Sequence, residues 1–414
     1  MNILFITSLL PFPVDSGVKY KTLNILKLIA RIHKVDFVSF IDDKKDFKHI
    51  DKLKKFCRLY YTFYLPLINY RHKLLYLKLI LSLSQKHPFL VYKYQSNKMK
   101  QKVNELYEKY EYNLIYVEHI NMVQYIPEGY KGKIIYDEQD ISSIAYASYS
   151  LNESNYLLRI LYQIESRKLK IYEDNYLHKF NHIFTISELD KKRLLLREIP
   201  ENKITYLPIP FKSNNIYTFN KDNPIITFIG LLSWTPNFKG ILWFIKEIFP
   251  KIKEEFPDIK FLIAGKTGKE LFRFLKILND SKISYLGFVD NIEKIYLKTS
   301  AVVIPIKEGG GIRLKLLDAL SRGMPVVSTT LGAEGIPVTP GKDILIADDP
   351  QDFAEAVISV INNKELALNL SRNGLDLVRT HFNKRKTGRV LNKILRKQIS
   401  LRNGDQIKIG NGQL

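Results

Sequence analysis

Short, nearly uninterrupted apolar runs alternate with helical periodicity along both halves of the sequence, and this alternation restricts the fold more than any other feature. In the first half "NILFITSL" is followed by a helical pattern over 20–31, then "KVDFVSF", a long basic stretch over 44–110, "NLIYVEH" and "KIIYDEQ". Buried strands separated by helices specify a doubly wound α/β sheet. The pattern restarts with "PIITFIGLL", a helix over 239–255, "IKFLIAG", "ISYLGFV", "AVVIPI", a helix over 312–322 and "MPVVST". A chain of 414 residues exceeds what one core organises, so two Rossmann-like domains are expected, over 1–205 and 206–382. Between them "ENKITYLPIPFKSNNIYTFNKDNP" lacks periodicity, which puts the linker near 206–222. Residues 401–414 are polar and contain glycine, and read as a loose tail.

Composition narrows the partners. The formal charge of +22 calls for a ligand of opposite sign: nucleic acid, anionic lipid or a phosphorylated molecule. Tyr and Phe are abundant, yet no RNA-recognition, zinc-finger or KH signature carries them, so nucleic acid is not expected. The single cysteine, Cys57, leaves no disulfide framework and fits a reducing, cytoplasmic compartment. "MNILFITSLLPFP" lacks a basic n-region and meets Pro11 early, so it reads as a buried strand. The most apolar run, "LLYLKLILSLS", is broken by Lys78 and falls short of a membrane span.

"EGGGIRLKLLDALSRGMPVV" sets Gly309, Gly310 and Gly311 before a helical pattern in which Ile312, Leu316 and Leu320 share a face. Three glycines allow positive φ and close backbone approach, at an entropic cost. At a helix N-terminus the free N–H groups and the dipole favour an anion. Arg313 and Lys315 lie in the same first turn, where the dipole disfavours cations unless an anion is present. In the first domain "PFPVDSGVKY" puts Asp15, Ser16 and Gly17 between the first strand and a helix. No G-x-G-x-x-G opens either domain and no P-loop occurs.

These stretches, together with "FTISELDKKRL", "FIGLLSWTPNFKGILWFIKEIFPKI" and "YLGFVDN", resemble the family 4 (group 1) glycosyltransferases over nearly the whole chain outside the tail. The resemblance implies the GT-B fold, a nucleotide-sugar donor on the second domain, an acceptor on the first, and chemistry in the cleft between them. It also implies a final helix within 383–400 that returns to the first domain. The second acid of the family pattern falls on Asp318, as the ribose ligand. The position of the first acid is Gly310, with Glu308 as a displaced substitute; the arginine position after the first strand of the second domain reads Leu231; and the histidine position reads Gln139. Lys239 remains as a diphosphate contact, and Phe288 and Val289 as flanks of the base.

Departure of a sugar builds negative charge on a diphosphate, which fixed cations stabilise. With no Asp-x-Asp to bring a metal, Arg313 and Lys315 are expected to supply that charge; no metal and no cofactor beyond the nucleotide-sugar co-substrate is called for. His119, beside Glu118 at a strand end, joins Glu308 among the catalytic candidates. Asp137, Glu138 and Gln139 are expected to orient the acceptor hydroxyl with Asp15, Ser16 and Gly17. Residues 71–100 mix Lys, Arg, Leu and Tyr at helical spacing, as a helix lying on anionic lipid does, although an ordinary packed amphipathic helix reads the same way. The expected protein is a retaining, metal-independent hexosyltransferase using a UDP- or GDP-sugar. Its acceptor would be a glycan or lipid-linked hydroxyl in bacterial surface-polysaccharide or glycolipid synthesis, at the inner membrane face. The alternative is a non-catalytic subunit of the same fold that binds nucleotide or glycan.

Overall fold

The computed structural model describes residues 1–65, 82–266, 273 and 280–400. Seven strands, β1 (Asn2–Ile6), β2 (Lys34–Ile41), β3 (Leu59–Tyr64), β4 (Leu114–Glu118), β5 (Lys133–Asp137), β6 (His182–Thr185) and β7 (Ile204–Tyr206), form the first sheet. All pair in parallel, in the order β3-β2-β1-β4-β5-β6-β7. Six strands, β8 (Ile225–Ile229), β9 (Lys260–Ala264), β10 (Ile283–Gly287), β11 (Ala301–Ile304), β12 (Val326–Ser328) and β13 (Leu345–Ile346), form the second. These too are parallel, in the order β10-β9-β8-β11-β12-β13. The apolar runs are continuous because both faces of a parallel sheet are covered; every residue of β4 and β11 is buried. Strand β3 was hidden in the basic stretch, and β6, β7 and β13 are too short to show a period.

Strand order reverses between β1 and β4 in the first sheet and between β8 and β11 in the second. At such a reversal the crossover helices leave to opposite faces and open a crevice beyond the carboxyl ends. Four helices start beside these crevices or between them. Helix α1 (Gly17–Ile29) begins three residues earlier than its apolar pattern, because Ser16 caps it by accepting from the Lys19 amide at 3.4 Å. Helix α2 (Ser142–Leu151) follows β5, and helix α3 (Thr235–Trp243) follows β8 with Pro236 in its first turn. Helix α4 (Leu314–Ser321) begins two residues later than the periodicity suggests, because Arg313 stays extended at φ −91°, ψ 91°.

The chain leaves the first domain after β7 and returns to it. Leu207 is buried in the first core, whereas Tyr217 and Phe382 belong to the second. Helix α5 (Lys384–Ser400) then lays Leu391, Ile394 and Leu395 against Ile3, Phe5 and Leu26 of the first domain. The Thr387 hydroxyl donates to the Pro208 carbonyl at 2.8 Å, tying the returning helix to the outgoing strand of chain. Of the segment expected to meet a membrane, Arg71, Lys73 and Lys78 lie outside the described residues, as does the tail over 401–414. The described part of that segment contributes Val91 and Met99 to the first core. Among the described residues no helix is long and apolar enough to cross a membrane.

Leu395 is fully buried, so Leu395→Ala should destabilise the first domain by about 2–5 kcal/mol, while Leu395→Met should cost less than about 1.5 kcal/mol. Both tryptophans, Trp234 and Trp243, lie in the second domain. In urea, the far-ultraviolet dichroism of Leu395→Ala should therefore lose part of its amplitude before the tryptophan emission changes.

Candidate active site

The carboxyl end of the second sheet carries two cations that no carboxylate neutralises. Arg313 is 3 % exposed, and its Nη1 donates to the carbonyl oxygens of Gly310 and Gly311. Its Nε and Nη2 have no hydrogen-bond partner, and the guanidinium carbon lies 5.5 Å from the centre of the Trp234 ring. Burial lowers its affinity for a proton, against the pull of Tyr149, Glu334, Asp140 and Asp190. Lys315, partly buried on α4, reaches back to the end of β8, with its Nζ 4.5 Å from the centre of the Phe228 ring and 5.8 Å from that of Trp234. Desolvation, with Arg313 adding repulsion, pushes its pKa well down. Among the described residues neither cation forms an ion pair.

The triple-glycine loop is also where the two domains touch. A Cβ on Gly310 would lie 3.1 Å from the Ala145 Cβ on α2, and one on Gly311 would lie 3.2 Å from the Gln139 carbonyl oxygen. Gly309 and Gly311 have φ of 106° and 70°, in the region where L residues are strained, while Gly310 is not among the positive-φ glycines and is small for space alone. The Gly309 amide donates to Ser148 Oγ on α2 at 3.0 Å. Gly17, at the start of α1, meets the Leu314 side chain at the start of α4. Arg193 Nη2 to Glu334 Oε1 at 2.6 Å, Lys239 Nζ to Glu153 Oε2 at 3.3 Å, and a Lys266–Asp15 pair bridge the domains around these contacts.

At the reversal point of the first sheet, the Thr7 and Thr22 hydroxyls each donate to Glu118 Oε2 at 2.7 Å. Glu118 is wholly buried, its Oε1 has no partner, and its carboxyl is pushed up to about 7, first by burial and next by the Asp137 charge. His119 follows at φ 70°, a costly backbone for a non-glycine residue, with Nδ1 3.3 Å from Ser8 Oγ. Burial and the Lys21 charge push its imidazole down to about 3, so it is neutral at ordinary pH.

The model of the group 1 glycosyl transferases matches residues 223–363. A protein in the cps region of Klebsiella pneumoniae is 26% identical over 390 residues, 89% of this chain and 94% of its own length. The sucrose-phosphate synthase structure from Thermosynechococcus elongatus superimposes with a TM-score of 0.72 at 16% identity, over 97% of this chain and all of that one. The Anabaena protein HepE, solved with UDP and glucose, does so with a TM-score of 0.67 at 14% identity, over 96% of this chain and all of that one. The second domain matches the group 1 glycosyl transferases, and the chain has the GT-B fold.

The residues singled out from sequence are distributed over both crevices. Arg313, Lys315 and Gly309 to Gly311 converge at the second crevice. Asp318 lies near it, with Oδ2 accepting from Tyr296 at 2.9 Å and Oδ1 paired with Arg322; its charge, after burial, helps push the Tyr20 hydroxyl of α1 up to about 12. Phe288 is half exposed after β10, with Lys266 Nζ 5.3 Å from its ring centre, and Val289 follows it. Glu308 and Lys239 bind each other at 3.0 Å and line a pocket of about 270 Å³ with Asn152 and Trp243. Asp137 is locked between Lys21 Nζ and the Tyr116 hydroxyl, both at 2.6 Å, and Glu138 accepts from Tyr136 at 2.8 Å. These partners engage both oxygens of Asp137 and Oε1 of Glu138. Gln139 remains, with Nε2 buried and unpartnered. Asp15 is held by Lys19 at 3.0 Å as well as by Lys266, and Ser16 is spent as a helix cap.

Sequence reading missed Glu118 as a site residue in its own right, and also Thr7, Thr22, Lys21 and Asn237. Lys21 in particular reads as a solvated helix position, and only its partner on β5 shows otherwise. Among the described residues no three His, Cys, Asp or Glu side chains converge to hold a metal.

Two outcomes follow from this geometry. Because Glu118 is raised from 4.5 to about 7, the folded state holds an extra proton in that window and loses stability as pH rises through it. Between pH 5 and pH 8 the wild type should lose about 1–3 kcal/mol more than Glu118→Gln, measured by chemical unfolding at each pH. Gly310→Val should drive the valine into Ala145 and lower the melting temperature, and Ala145→Gly should recover part of that loss in the double variant while lowering the melting temperature of the wild-type loop.

Proposed function

We propose that this protein is a retaining hexosyltransferase that moves a hexosyl group from a UDP- or GDP-sugar to an acceptor hydroxyl. The acceptor is a glycan or a lipid-linked sugar of surface-polysaccharide or glycolipid synthesis, met at the inner face of the membrane. The observation that carries the proposal is Arg313, a buried guanidinium with two unpartnered nitrogens at the carboxyl end of a parallel sheet. Leaving a charged donor buried and unpaired is costly, and a diphosphate arriving there would remove that cost. As the bond from the sugar to the diphosphate breaks, charge grows on the leaving oxygen, and a cation fixed beforehand stabilises it without reorganising.

In this proposal Asp318 accepts from the donor ribose after giving up part of its pairing with Arg322, and Phe288 and Val289 flank the base. His119 and Gln139 face the acceptor from the first domain. His119 is neutral and acts through hydrogen bonding rather than charge. The Anabaena neighbour solved with UDP and glucose supports a UDP-sugar as the first donor to test. One observation favours a non-catalytic binding subunit instead: Glu308, the displaced acid, is tied to Lys239.

Calorimetric titration with UDP, GDP and ADP, with EDTA present throughout, tests the donor site; one of the first two should bind, and silence from all three would overturn the proposal. Arg313→Ala should lower kcat and kcat/KM for nucleoside-diphosphate release together, by about 10² or more, with a much smaller change in donor KM. Tight binding with no release from any UDP- or GDP-sugar would favour the binding subunit.

A further inference from the structure

The chain carries no cation over 230–234, between β8 and α3, and yet a cation stands at that strand end. Lys315 arrives there from α4. A Cβ on Gly230, the residue that follows β8, would lie 3.0 Å from Lys315 Nζ and 3.1 Å from Asn237 Nδ2, so the ammonium and the Asn237 amide occupy the space that this glycine leaves. Asn237, 2 % exposed on α3, donates from Nδ2 to the Leu231 carbonyl at 2.7 Å, and its Oδ1 accepts from Lys315 Nζ. The amide has one orientation that satisfies both neighbours, because a carbonyl can only accept and an ammonium can only donate. The Asn237 backbone is fixed as well, its amide donating to the Trp234 carbonyl at 3.0 Å.

We infer that Asn237 is a positioning residue which aims Lys315 at the donor diphosphate, so that a lysine from α4 supplies the cation at the end of β8. The inference rests on the donor reading above. A neutral amide suits this task better than a carboxylate. An aspartate at 237 would still accept from the ammonium but would neutralise it and lose the donation to the Leu231 carbonyl, leaving less positive charge for the phosphate to pair with. The other groups around Nζ are uncharged or positive: Phe228 from β8, Trp234 ahead of α3, and Arg313 ahead of α4. The nearest acid along the helix, Asp318, is occupied by Tyr296 and Arg322. The ammonium therefore has one hydrogen-bond partner among the described residues and two donor positions left for an anion.

The test compares a nucleoside diphosphate with its nucleoside, since only the first carries the charge that Lys315 would meet. UDP and GDP are titrated by calorimetry, and uridine and guanosine by ligand-observed NMR, on the full chain. Asn237→Asp preserves shape and should weaken the diphosphate at least tenfold while leaving the nucleoside unchanged. Lys315→Met should do the same, and adding Asn237→Asp to Lys315→Met should cost nothing further. Equal loss of diphosphate and nucleoside in Asn237→Asp, or additive losses in the double variant, would reduce Asn237 to a structural residue and overturn the inference. Unchanged diphosphate affinity in Asn237→Asp would overturn it too, with the donor site intact. Failure of the wild type to bind either diphosphate would instead bring down the donor reading on which it rests.

Discussion

A methyl group on Gly17 would come within 2.8 Å of Leu314 Cδ1 and 3.2 Å of its Cβ, so the close approach of the two domains at this point relies on a glycine. That contact joins the N-terminus of α1 to the N-terminus of α4, the two helices that start beside the crevices of the two sheets. Because the helix starts meet, the carboxyl ends of both sheets face one space. The glycine loop does the same on the other side, laying Gly310 and Gly311 on α2 and on the end of β5. Ion pairs between Arg193 and Glu334, Lys239 and Glu153, and Lys266 and Asp15 then surround the apolar and glycine contacts. Small residues set how closely the halves approach, and the charged pairs around them fix how they are rotated.

The two crevices handle charge in opposite ways. In the first domain every buried cation of the crevice has its acid: Lys21 has Asp137, which also takes the Tyr116 hydroxyl, and Lys19 has Asp15 and Asp46. Charges paired in this manner keep their geometry but are poor ligands, since a newcomer must displace a partner already in place. In the second domain Arg313 and Lys315 are held by carbonyl, amide and aromatic groups, which orient a cation without neutralising it. An anionic ligand entering the cleft would meet an unsatisfied positive potential on one side and a balanced, hydrogen-bonding wall on the other.

Most of the architecture was legible in the sequence because buried parallel strands leave unbroken apolar runs, and nine of the thirteen strands did so. The rest were hidden for identifiable reasons. β3 carries polar tyrosines and a threonine inside a basic stretch, and β13 has two residues. The candidate site was legible where a residue type is unusual for its place, as with two cations at a helix start. It was illegible where function depends on who faces whom across the fold. Nothing local marks Asn237 as the partner of Lys315, 78 positions away, or Lys21 as the partner of Asp137, 116 positions away. The same applies to Glu308 and Lys239, which look like two separate ligand contacts in sequence and are one ion pair in space.

The return of α5 to the first domain has a mechanical consequence. The chain crosses between the domains twice, once after Leu207 and once between Phe382 and Lys384, and the crossings are stitched together. The Phe211 amide donates to the Phe382 carbonyl at 2.7 Å, and Thr387 donates to the Pro208 carbonyl at 2.8 Å. Two covalent tethers bonded side by side behave as the spine of a book. Tethers bonded in this way resist sliding and twisting of one half over the other more than they resist a swing about the spine.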